Sequence, residues 1–124
     1  PFKLPLIGGS LYSTAGDSAV FLQSVLKQAT SGEEVLMTAE QFEAYTTPYS
    51  DNQRYAFGWS QMMGNGRPFG LAHSGALASS RALFQINLEK GGYVSVLYTI
   101  SNPKGSAEVQ RAVGNAIGPV TGKK

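Results

Sequence analysis

The chain has 124 residues, 42% of them hydrophobic, and a formal net charge of +2, which suits one domain able to bury a core without cross-links. It holds no cysteine and one histidine, so neither a disulfide framework nor a metal centre is expected, and no cofactor is called for. The basic residues are dispersed apart from Lys123 and Lys124, which gives no nucleic-acid footprint, and no apolar run approaches the roughly 20 residues that span a bilayer.

The chain opens on Pro1 with no basic-then-apolar signal segment, and is expected to be processed or cut from something longer. Pro1 to Ile7 is apolar and punctuated by proline, which predicts an extended lead-in broken by Gly8-Gly9. Thr14 followed by Asp17 resembles a capping box. Phe21, Val25 and Ala29, flanked by Leu22 and Leu26, make an apolar stripe at helical spacing. A helix is predicted from about Ala15 to Gln28, stopped by Thr30-Ser31-Gly32.

Thr38 with Gln41 is a second box, predicting a short helix to about Tyr45 that Thr46-Thr47-Pro48 ends. Past a polar loop, Tyr55, Phe57, Trp59 and Gln61 alternate with Ala56, Gly58, Ser60 and Met62, the period of a half-buried strand. Gly64-Asn65-Gly66 closes it. A short strand follows at Leu71 to Ala76. Ala82, Phe84, Ile86 and Leu88 alternate next, Lys90-Gly91-Gly92 turns the chain, and Tyr93 to Ile100 is almost wholly apolar. That reads as a β-hairpin whose second strand is buried on both faces. After the turn at Asn102 to Gly105, a last helix is predicted from about Ser106 to Ile117, with Val109, Val113 and Ile117 at four-residue spacing. Gly118-Pro119 ends it, leaving a loose tail over 119–124. The sum is an α+β domain in which three or four antiparallel strands carry flanking helices.

The stretch that carries chemistry is Leu71-Ala72-His73-Ser74-Gly75-Ala76, which holds the one histidine. Neighbours in a strand point to opposite faces, so His73 and Ser74 do not make a base and nucleophile pair. A run of small residues instead suits a strand that donates backbone N–H groups to a substrate lying along it.

Three stretches in succession resemble the serine β-lactamase-like family of class C β-lactamases, DD-peptidases and related esterases. Gly8-Gly9-Ser10-Leu11-Tyr12-Ser13-Thr14-Ala15-Gly16-Asp17, with Phe21-Leu22 on the following helix, is similar to its Gly-Gly-Leu-x-Ser-Thr segment, with Ser10 inserted. Tyr55-Ala56-Phe57-Gly58-Trp59 resembles its Tyr-Gly-Leu-Gly-Trp strand. His73-Ser74-Gly75 resembles its third motif, Lys-Thr-Gly, often His-x-Gly in the esterase and peptidase branches. The resemblance runs from Gly8 to about Ile117 and implies that residues 1–124 form a single partial domain, the C-terminal part of the family's fold.

It further implies a hydrolase acting by acyl transfer on an ester, a D-amino-acid peptide or a β-lactam, with the Ala76 backbone N–H as one of two oxyanion donors. His73 would take the place of the motif's Lys and orient the general base or a substrate carboxylate. Ser74 would stand at the Thr position, and Gly75 would let substrate approach closely. Family precedent for a His at that place leans toward ester or peptide over β-lactam. The nucleophile is not in this chain: the Ser-x-x-Lys and Tyr-x-Asn motifs would come from an N-terminal partner part. Ser24-Val25-Leu26-Lys27 and Ser50-Asp51-Asn52 mimic them, but Ser24 is expected in mid-helix, whereas the family's nucleophile sits at a helix start.

Without the family, His73 reads as a partly exposed strand-end residue. Tyr55 and Trp59 read as core or rim aromatics, Arg81 as a solvated strand start, Asp17 as a cap and Asp51 as a loop residue. Three functions stay open: one piece of a serine hydrolase, a non-catalytic module that binds a peptide or cell-wall fragment by strand addition, and a homo-oligomer formed through an open sheet edge. The family points to bacterial periplasmic or secreted proteins and leaves the cytoplasm open.

Overall fold

The computed structural model describes residues 9, 11–50, 53–100, 107–109, 111–113 and 115. The expectations for Pro1 to Gly8, for Ser10, Asp51 and Asn52, for the Asn102 to Gly105 turn, for Ser106 and Ile117, and for the 119–124 tail lie outside the described residues. The architecture is α+β. Helix α1 (Ala15–Ser31) and helix α2 (Ala39–Thr46) precede the strands β1 (Ser60–Gly64), β2 (Arg67–Leu77), β3 (Ser80–Asn87) and β4 (Gly92–Thr99). The four strands form one antiparallel sheet in the order β1-β2-β3-β4. Residues 107–109, 111–113 and 115 are helical. No helix among the described residues is long and apolar enough to cross a membrane.

Both helix starts follow from their caps. The Thr14 hydroxyl oxygen accepts from the Asp17 N–H, and the hydroxyl donates to the Asp17 carboxylate, so this box is only half closed. At Thr38 both halves form, because the longer Gln41 side chain reaches back to the Thr38 N–H. The buried line of α1 is Ser18, Leu22, Val25 and Gln28, rotated by one position from the expected Phe21-Val25-Ala29 stripe. Gln28 explains the rotation. Its amide donates to the Met37 carbonyl at 2.6 Å and accepts from the Leu36 and Met37 N–H groups, tying the helix to the loop that enters α2. A satisfied amide is tolerated inside, and Ala29 is left outside.

Leu22, Val25, Trp59, Leu71 and Ile86 form the core, with α1 laid across β4 and β3. Trp59 joins the parts: Phe21 of α1 stacks on it at 6.4 Å, and Tyr45 of α2 meets it edge-on at 6.3 Å. Gln61 donates to the Thr46 carbonyl, covering one of the acceptors that a helix end leaves open.

Two expectations are corrected. Tyr55 to Met62 is not one strand; β1 begins at Ser60. Gly58, at φ 95°, lets the chain double back, so the Ala56 N–H reaches the Trp59 carbonyl and the Gln61 N–H reaches Arg54. Nor is β4 buried on both faces: Gly92 to Tyr98 are half-buried and Thr99 is exposed. The strand at Leu71 to Ala76 is longer than expected, extending from Arg67 to Leu77.

Candidate functional site

β2 outruns its neighbour on one side. Pairing with β1 ends at Ser60 opposite Ala72, whereas pairing with β3 continues through His73 to Leu77 opposite Ser80. Residues 73–77 therefore have a partner strand on one side only, among the described residues. The direction of each peptide group follows from the ladder. The Leu88 N–H donates to the Phe69 carbonyl at 2.9 Å, and the register with β3 is unbroken from Gly70 to Leu77. Peptide groups alternate along a strand, so His73, Gly75 and Leu77 address β3. Ser74 and Ala76 address the other side, as Ala72 does when it pairs with Ser60. The N–H and C=O groups of Ser74 and Ala76 thus point away from β3, to a side with no partner strand among the described residues, and at the end of that stretch Gly9 lies so close that a Cβ on it would meet the Leu77 side chain.

Side chains alternate too. His73 lies opposite Phe84, on the sheet face that packs on α1, while Ser74 and Ala76 project to the other face. His73, Ser74, Gly75 and Ala76 are all exposed. Tyr55 comes up beside His73, its hydroxyl 3.3 Å from Nε2 and the ring centroids 6.2 Å apart. Tyr55 escapes a sequence reading because a straight strand would set it on the same side as Trp59, and only the fold at Gly58 swings it to the edge.

Tyr55 also lines a pocket of about 470 Å³ with Glu40, Glu43, Tyr49 and Phe57. The walls come from α2, the loop after it and the doubled-back segment before β1. Among the described residues, no group of three His, Asp or Glu side chains comes together to hold a metal ion.

The other candidates have structural occupations. Ser24 is inside α1 with its hydroxyl donating to the Val20 carbonyl at 2.9 Å. Lys27 pairs with Glu33 at 2.7 Å, so the Ser24 to Lys27 segment offers neither a helix-start nucleophile nor a free amine. Arg81 donates to the Ala78 and Ser80 carbonyls at 2.8 Å and braces the β2-β3 turn. Asp17 caps α1.

No family model matches the chain, and no curated protein or solved structure matches it.

Proposed function

We propose that the chain forms the substrate-binding wall of a serine acyl-transfer hydrolase of the β-lactamase-like kind, with the nucleophile supplied by a part carrying Ser-x-x-Lys and Tyr-x-Asn. The Ala76 N–H, directed away from β3 at an edge with no partner strand among the described residues, carries the reading. A substrate acyl group lying antiparallel along 73–77 would place its carbonyl oxygen on that N–H, with the nucleophile's own N–H as second donor. When the serine oxygen adds to the carbonyl carbon, negative charge gathers on that oxygen, and fixed donors stabilise it more than they stabilise the ground state. The Ser74 and Ala76 carbonyls would accept a substrate N–H and hold the chain in register. His73, at the motif's Lys position and beside the Tyr55 hydroxyl, would orient the base or a substrate carboxylate.

Native purification with a fluorophosphonate probe tests this reading: a labelled polypeptide held by this chain is expected, and an unlabelled lone chain would overturn it. In the assembled enzyme, Ala76→Pro should lower kcat about 10²- to 10³-fold. Stability should change by only about 1 kcal/mol, because proline is tolerated where the lost N–H faces away from the ladder.

A second reading is favoured by the small, uncharged edge residues Ser74, Gly75 and Ala76. Such an edge, without a guarding lysine or proline, also suits a non-catalytic module that adds a peptide or a second copy as a strand. A lone, unlabelled chain that sediments as a dimer would support it.

A further inference from the structure

The pocket beside the edge holds charges and ring faces that acyl transfer leaves unused. Glu40 and Glu43 are three residues apart on α2, neighbours on one helix face, and both line the pocket. The ion pairs among the described residues are Lys27 with Glu33 and Arg67 with Glu89, so neither pocket carboxylate has a cationic partner there. Helix electrostatics account for Glu40, which lies in the first turn of α2. They do not account for Glu43, which lies toward the negative end of the helix, in a helix with no basic residue in its last turn.

The aromatic walls point the same way. Tyr49 is 97% exposed, Phe57 73% and Tyr55 52%, so these rings are not core packing that happens to border a gap. An uncovered ring presents a negative face to whatever enters. Two carboxylates and three exposed aromatic residues lining one hollow complement an organic cation, its charge against the acids and its alkyl groups against the rings.

We propose that this pocket binds an alkylammonium group, and that the substrate lying along 73–77 carries one. Tyr55 is the shared wall, lining the pocket while its hydroxyl sits 3.3 Å from His73 Nε2. The ammonium site stands on the pocket alone. The assignment of the group to the substrate rests on the hydrolase reading above.

The test is an NMR titration of the full 124-residue chain with choline and with its neutral isostere 3,3-dimethyl-1-butanol, following the ring resonances of Tyr49, Tyr55 and Phe57. Choline is expected to shift these resonances and to bind about tenfold more tightly than the isostere. Glu43→Gln should weaken choline about threefold, and Glu33→Gln should leave it unchanged. Equal affinity for the two compounds, or no choline-induced shift of these rings, would overturn the site. A fluorophosphonate-labelled partner without choline binding would remove this site and leave the hydrolase standing. Choline binding without a labelled partner would keep the pocket and remove its link to an acyl substrate.

Discussion

Gly70 is the residue at which β2 has least freedom. A Cβ there would meet the Ile86 carbonyl oxygen and the Met62 methyl group, and the first belongs to a strand backbone that cannot swing aside. Gly70→Ala should destabilise by about 3 kcal/mol, the upper end for overpacking, read as a lower urea midpoint with an unchanged slope. Tyr55→Phe should leave stability almost unchanged. Both ring partners are exposed, so stability should move by no more than about 0.5 kcal/mol. The His73 imidazole ¹⁵N shifts should change as the hydroxyl partner is lost; unchanged shifts would show that the contact is not made in solution. His73 was visible in the sequence because it is the one histidine, beside small residues. Tyr55 was hidden because its place depends on a backbone reversal that alternation of residue types does not encode.

At the scale of elements, the local signals were legible where chemistry is local. Thr14 and Thr38 announced both helix starts, and Gly64-Asn65-Gly66 announced the β1-β2 hairpin, whose Asn65 and Gly66 both take positive φ. The buried face of α1 was not legible, because a hydrophobic count passes over Gln28. Gln28→Ala should cost about 2 kcal/mol through three lost hydrogen bonds and should loosen residues 36 and 37 before the rest unfolds, as read by amide exchange. The same experiment tests the open edge. The Ser74 and Ala76 amides should exchange quickly while those of His73, Gly75 and Leu77 are protected, an alternation within one strand. Uniform protection from 73 to 77 would mean that something covers the edge.

For the molecule as a whole, the α+β class and the antiparallel hairpins could be read from period-two and helical patterns. Which stretch of β2 has a strand on one side only among the described residues could not, because it depends on where β1 starts, and β1 begins late only because Gly58 folds the preceding residues back. The strands are joined in order by Asn65-Gly66, Ala78-Ser79 and Leu88 to Gly91, so each can pair with its predecessor as soon as it exists. Helix α1 is placed differently, since its main contact is with β4, the last strand made. On a ribosome, about 60 residues separate the end of α1 from the start of β4, roughly 3 to 12 s at ordinary elongation rates. Through that interval α1 lacks its main partner, and any cover for Leu22 and Val25 has to come from Trp59, Leu71 and Ile86 or from a chaperone.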